Sequence, residues 1–351
     1  MDFLNALQNK ATSKTPIWLM RQAGRYMACY RELRAKHSLL ELVKTPELAC
    51  EITLQPIKAF NLDAAIIFSD ILPILETLGL KLEFIKGEGP ALHDPIRSAN
   101  QVEQLDLRPL EETIGFTLEA IKLVKPELKV PLIGFSGSPF TLACYAIEGG
   151  GSKDHRLAKT FMYEHPDAWH KLMDILATLI GKYLRLQAEA GADVLQIFDS
   201  WAGSLGPQDY KRFVFPHTQK VIQMLGSDFP PLKKGGQGGF SRPPIIYFST
   251  GTSAYLDIIS KLDADAFSID WRVSLKQAAQ VFQKPIQGNL DPIALLAPWP
   301  ELKHQVDLIL EQAPKTGFVF NLGHGILQFT PEDNVKRLTD YLTSLSNRVI
   351  V

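Results

Sequence analysis

Residues 191–200 read Gly-Ala-Asp-Val-Leu-Gln-Ile-Phe-Asp-Ser. A small-residue turn ending in aspartate leads into an apolar run, and the run stops at a second acid beside a hydroxyl. A nearly continuous apolar run of this kind predicts a strand over 194–198, covered on both faces. The stretch before it, about 167 to 190, is long and apolar on one side, the pattern of an amphipathic helix. Gly191 stands where a C-terminal capping glycine belongs. The same helix-to-strand turn recurs. Asn61-Leu62-Asp63 precedes a run at 64–69 that ends in Ser69-Asp70, and Asp263-Ala264-Asp265 precedes 266–269, which ends in Asp270.

Working outward, further apolar runs lie at 17–20, 131–135, 245–249, 285–287 and 317–321, each separated from the next by room for a helix. Thr45-Pro46 reads as an N-cap with proline in the first helical position, opening ELACEITLQPIKAF. Eight runs alternating with helices predict an α/β protein built as a single-domain (β/α)8 TIM-type barrel over 1–351, with an N-terminal helical extension. An open doubly wound sheet would alternate similarly. Two segments fall outside the alternation: 80–92 reads as a β-hairpin, and 226–244, with five glycines and four prolines, as a surface insertion.

Composition narrows the function. The chain has 351 residues, 46% hydrophobic and 21% charged, with Lys+Arg 37 against Asp+Glu 38. Folding a chain of this size buries about three quarters of its surface, so the core needs no disulfide or metal. Near-zero net charge argues against generic nucleic-acid binding, and no apolar run reaches the roughly 18 residues of a membrane helix. The first residues carry no apolar core of a secretory signal. Three cysteines (Cys29, Cys50, Cys144) without a C-x-x-C suit a reducing cytoplasm and offer neither zinc cage nor redox dithiol. Between Lys10 and Lys36, however, seven cations face one anion, Glu32. That is either a solvated basic face or a docking site for a polyanion smaller than DNA.

In a parallel barrel, chemistry gathers at the carboxyl ends of the strands. In order these positions are Arg21, Asp70, Ser136, Ser200, Thr250, Asp270, Asn289 and His324. Arg21 and Arg25, spaced by Gln22-Ala23-Gly24, can converge on neighbouring carboxylates or pair with acids of the rim. Asp70 follows an apolar run, which is costly for a carboxylate without a donor or cation, and it can equally cap the next helix. His324 sits between two glycines, exposed for catalysis or simply structural. Ser200 alone reads as a capping serine. No phosphate-binding glycine pattern occurs.

Five motifs nevertheless appear in order: Arg21-Gln22-Ala23-Gly24-Arg25-Tyr26, Phe68-Ser69-Asp70-Ile71-Leu72, Glu148-Gly149-Gly150-Gly151-Ser152, Gln287-Gly288-Asn289-Leu290-Asp291-Pro292 and Asn321-Leu322-Gly323-His324-Gly325. From about residue 16 to the C-terminus the chain resembles the uroporphyrinogen decarboxylase family. The resemblance implies a homodimeric barrel enzyme of haem and chlorophyll biosynthesis that needs no cofactor or metal. Its reaction converts the four acetate arms of uroporphyrinogen III to the methyl groups of coproporphyrinogen III, releasing carbon dioxide. It implies that Arg21 and Arg25 grip substrate carboxylates beside Gln22, Ala23 and Gly24. Asp70 would accept hydrogen bonds from the pyrrole N–H groups, and Tyr145, Ser200 and His324 would supply further polar contacts. Phe135 corresponds to an apolar wall, and Arg34 to a further basic position. Met27-Ala28-Cys29, Glu76 and the 226–244 segment depart from the family's usual pattern. Two competing expectations are a corrinoid-linked methyltransferase on the same barrel and a non-catalytic tetrapyrrole carrier. The first calls for a late His-x-Cys zinc site, which the sequence lacks, and the second gives no reason for Asp70.

Overall fold

A computed structural model describes residues 1–85, 89–226 and 241–346. The tip of the expected hairpin, 86–88, and residues 227–240 of the expected insertion lie outside the described residues. The sheet is parallel throughout and runs in chain order: β1 (Ala65–Ile66), β4 (Leu132–Gly137), β5 (Val194–Asp199), β6 (Ile245–Ser249), β7 (Ala266–Ser268), β8 (Ile286–Leu290) and β9 (Phe318–Leu322). The expected hairpin forms from β2 (Lys81–Ile85) and β3 (Gly89–His93), antiparallel and touching Gly150 through Ala91. Helices Pro46–Ala59 and Pro166–Ala190 stand where their caps predict, with Pro46 and Pro166 in the first turn.

The expected strand at 17–20 differs. It makes one parallel bridge, Ile17 to Phe320, and no regular ladder. The eighth position of the barrel is therefore an extended segment, and side chains complete its pairing. The Phe320 N–H donates to the Pro16 carbonyl at 2.8 Å and the Asp63 N–H to the Ile17 carbonyl at 2.7 Å. In return the Ile17 N–H donates to Asp63 Oδ2 at 2.9 Å, and the Met20 N–H to Asn321 Oδ1 at 3.0 Å. Closed in this way, the sheet is the α/β barrel the alternation predicts.

The threefold turn has a common physical function. Asp63, Asp193 and Asp265 each donate their own N–H to, and accept on a carboxylate oxygen from, one residue at the start of the neighbouring strand: Ile17, Leu132 and Ile245. Each carboxylate also meets a cation, respectively Lys14, Lys125 and Arg242. Charge-assisted bonds of this kind set register at the amino ends of three strand pairs. The same end is filled by the N-terminal helix Asp2–Leu7. Its Phe3, Leu4 and Leu7 pack with Trp18, Ile133, Val194, Ile246 and Val319. Deeper in the barrel, Gln287 accepts from Trp18 Nε1 at 2.7 Å and donates to Ser268 Oγ at 3.0 Å, so these buried polar groups find partners.

At the opposite end the loops pack by backbone contact. A methyl group on Gly203 would meet the Thr250 carbonyl and lie 2.6 Å from Gly251 Cα, with backbone on both sides and no flexible side chain to yield. Gly203→Ala is therefore expected to destabilise the protein by about 2–3 kcal/mol, read as a lowered midpoint in thermal or urea unfolding. A midpoint equal to wild type would show that these two loops separate freely.

Candidate active site

The barrel brings the strand-end residues to one face. Arg21 directly follows the closing segment and holds a left-handed backbone, φ +59. That turn sends its side chain across the last loop: a Cβ on Gly325 would sit 2.5 Å from Arg21 Cδ and 2.7 Å from Cγ. Glycine after His324 is thus the space the guanidinium stem occupies. From there Arg21 acts electrostatically on Asp70, Tyr145 and His324 alike. These four residues come from the closing segment, the loop after β1, the helix Pro139–Glu148 and the loop after β9.

Asp70 is half-buried, and its Oδ1 accepts the Leu72 N–H at 2.9 Å. The capping expectation is not met: the helical turn Pro73–Leu78 has Leu72 at its N-cap and no side-chain cap bond, and Asp70 instead closes a local turn two residues long within the field of Arg21. Burial raises its carboxyl above the ordinary value, against the lowering effects of the Leu72 N–H, Arg21 and the Ile71 N–H. Its charge is felt by three tyrosines, Tyr30, Tyr145 and Tyr183. Burial pushes the Tyr145 phenol up to about 12, so at neutral pH it is an O–H donor. Burial, then Arg21, lowers His324 to about 4, against a raising effect of Asp270. The imidazole is neutral across the physiological range, with its ring edge-on to Phe248 at 6.1 Å.

Other expected residues sit differently. Gln22 is fully buried: its side chain accepts from the Leu19 N–H and donates to the Ala64 carbonyl, each at 3.3 Å, while its carbonyl takes the Tyr26 hydroxyl at 2.6 Å. It holds the Arg21–Arg25 loop from beneath, while Ala23 and Gly24 are half-buried on that loop. Arg25 is exposed and lines a recess with Arg34. Phe135 is buried, its ring edge-on to Phe198 at 5.5 Å. Ser200 is half-buried, and its carbonyl accepts Thr250 Oγ1 at 3.0 Å.

Residues 1–345 of the 351 match the family described as Uroporphyrinogen decarboxylase (URO-D). The chain belongs to the uroporphyrinogen decarboxylase family. A uroporphyrinogen decarboxylase of Roseiflexus sp. (strain RS-1) is 50% identical over 349 residues, covering 98% of each chain. One of Chloroflexus aurantiacus (strain ATCC 29366 / DSM 635 / J-10-fl) is 51% identical over 346 residues, 97% of this chain and 95% of the relative. A methyltransferase from Methanosarcina mazei superposes with a TM-score of 0.76 at 20% identity, covering 98% of both chains. That likeness shows the fold alone. Among the described residues no group of three or more His, Cys, Asp or Glu side chains could hold a metal ion.

The structure brings further residues to this face of the barrel that motif reading passed over. Trp201 stacks on Tyr145 with ring centroids 4.0 Å apart, and His155 backs the indole at 4.4 Å, so the phenol is held by a three-ring pile. Asp270, singled out only by strand-end position, is buried. It accepts from the Gly251 N–H and from Arg272 Nη1, both at 2.6 Å. Arg272 adds a cation that His324 feels. The spacing Asp270-Trp271-Arg272 after an apolar run was the available signal.

Two expectations follow from these shifts. A carboxyl whose folded pKa is raised binds protons more tightly folded than unfolded. Ionising it therefore costs stability progressively as pH rises above the unfolded value of 3.8. Asp70→Asn should thus melt higher than wild type at neutral pH, with the gain vanishing below about pH 4 in differential scanning calorimetry. For His324 the folded pKa is depressed, so stability is lost as pH falls from about 6.5 toward 4. NMR of the His324 ring should show a neutral imidazole at pH 6, and a protonated ring there would contradict the site's electrostatics.

Proposed function

We propose that this protein removes carbon dioxide from the four acetate arms of uroporphyrinogen III to give coproporphyrinogen III. The observation that carries the assignment to this site is a half-buried aspartate, Asp70, in the electrostatic field of Arg21 at a strand end of the barrel, with Arg25 and Arg34 in a recess nearby. The substrate has eight carboxylates on a flexible ring, and guanidiniums grip such groups bidentately. Arg21 and Arg25 would hold the acidic fringe while Asp70 meets the pyrrole N–H groups at the centre.

Protonation of a pyrrole carbon makes the ring cationic. The pair of the C–CO2 bond then flows into the ring, releasing CO2 and leaving an exocyclic carbon. Exchange of the ring proton for one on that carbon completes the methyl group. The substrate itself is the electron sink, which supports a reaction needing no added cofactor. Asp70 acts electrostatically: at about 4 Å and an effective dielectric near 20, a carboxylate–cation pair is worth roughly 4 kcal/mol, about a thousandfold in rate. A carboxylate partly withdrawn from water is poised for this, because the arriving cation replaces solvation that burial removed. Tyr145 and His324, both neutral, would orient the substrate by hydrogen bonds without adding charge.

The reading extends to a homodimer working in the cytoplasm. Exposed Trp271, beside a cavity lined by residues of the 289–294 segment, supports self-association there, as do exposed Ile293 and Leu296. Anaerobic incubation with uroporphyrinogen III, followed by chromatography of the products, is expected to show stepwise loss of four carboxyl groups. Asp70→Asn should lower kcat about a thousandfold with KM changed only a few-fold. Full turnover by that variant would sink the electrostatic role, and no CO2 from wild type would sink the reaction.

A further inference from the structure

Arg25, Arg31 and Arg34 line one recess of about 480 Å³ with Ala35, Gln328 and Phe329. None of these residues is acidic, so three like charges share the space. Two of the guanidiniums are held by uncharged oxygens. Arg31 Nη1 donates to the carbonyls of Arg25 at 3.1 Å and Tyr26 at 2.6 Å, and Arg34 Nη1 donates to the His37 carbonyl. Arg34 also meets the Tyr30 hydroxyl. A carbonyl or phenol fixes the direction of a guanidinium without cancelling its charge. The nearby acid Glu332 is turned to the Ala28 N–H at 3.2 Å. One sign of charge gathered in a concave space focuses its field on an arriving anion.

The fourth wall is aromatic. Phe329 is 78% exposed, the most exposed large apolar side chain among the described residues. It belongs to the loop that carries His324, five residues earlier. A phenyl face held beside oriented guanidiniums matches a ligand that carries flat aromatic rings in its middle and acids at its edge.

We propose that this recess is an outer subsite. Arg31 and Phe329, with Arg25 and Arg34, capture a carboxylate-edged tetrapyrrole at the barrel mouth before it reaches Asp70. Phe329 covers a ring face while the guanidiniums take acidic arms, and Arg25 is shared with the inner site. The ligand class rests on the function proposed above; the recess and its charge do not.

The test is fluorescence titration of the full chain with uroporphyrin, the flat, oxidised and fluorescent octacarboxylate, across a range of salt concentrations. Arg31→Gln is expected to weaken binding about tenfold and flatten its salt dependence, as loss of one charge-assisted contact predicts. Phe329→Ser should weaken it about tenfold by loss of a stacking face and leave the salt slope unchanged. Arg31→Lys keeps the charge but not the fork, and should recover the slope and part of the affinity; it also serves if Arg31→Gln does not fold. Wild-type affinity in both Arg31→Lys and Phe329→Ser would overturn the subsite, even with CO2 release intact. Conversely, wild type that releases no CO2 but still binds uroporphyrin through Arg31 and Phe329 would retain the subsite and discard the reaction.

Discussion

Two borrowed oxygens close this barrel. Where a full strand would offer successive carbonyls, Asp63 presents a carboxylate to the Ile17 N–H and Asn321 an amide oxygen to the Met20 N–H. Asn321 Oδ1 also takes the N–H of Leu322 at 2.7 Å, so one atom ties the first and last barrel segments together. The next residue after Met20 is Arg21. Its left-handed turn, its reach over Gly325 and its influence on Asp70, Tyr145 and His324 all start from a backbone fixed by those contacts. The site is therefore assembled by long-range pairing and not by any local motif.

Electrostatically, the mouth is divided into two zones. Inside, burial favours the uncharged form of every group it shifts: the Asp70 carboxyl and the Tyr145 phenol go up and the His324 imidazole goes down. Outside, Arg25, Arg31 and Arg34 line one recess. On the proposed function, a polyacid would meet cations first and a partly buried interior second. On the role proposed for Asp70, positive charge on a bound ring would meet a half-buried carboxylate, less screened than in bulk water.

Much of this was legible in the sequence, for identifiable reasons. Buried strands betray themselves as unbroken apolar runs, and the aspartate-ended turns at 61–63, 191–193 and 263–265 repeat because each performs the same register-setting contact. The segment 17–20 looks as apolar as a strand, yet forms a single bridge, since its neighbours answer with side chains that no pattern of hydrophobicity encodes. Gln22 stands inside the arginine motif, but the backbone turn at Arg21 throws its amide inward to Leu19 and Ala64. The pile of Tyr145, Trp201 and His155 joins three separate segments, and only the folded chain brings them within 4.4 Å. The placement of Asp70 and His324 at strand ends, by contrast, follows from topology alone.

The helix Asp2–Leu7 stoppers the floor of the barrel with Phe3, Leu4 and Leu7, and the segment behind it pairs with residues made about three hundred positions later. A ribosome therefore makes the helix well before β9, the last wall of its socket. Until β9 is made, the apolar side chains of this helix lack one wall of their packing, the one Val319 supplies. Closure is a terminal event for this chain, and truncation near the C-terminus strands both ends of the molecule at once.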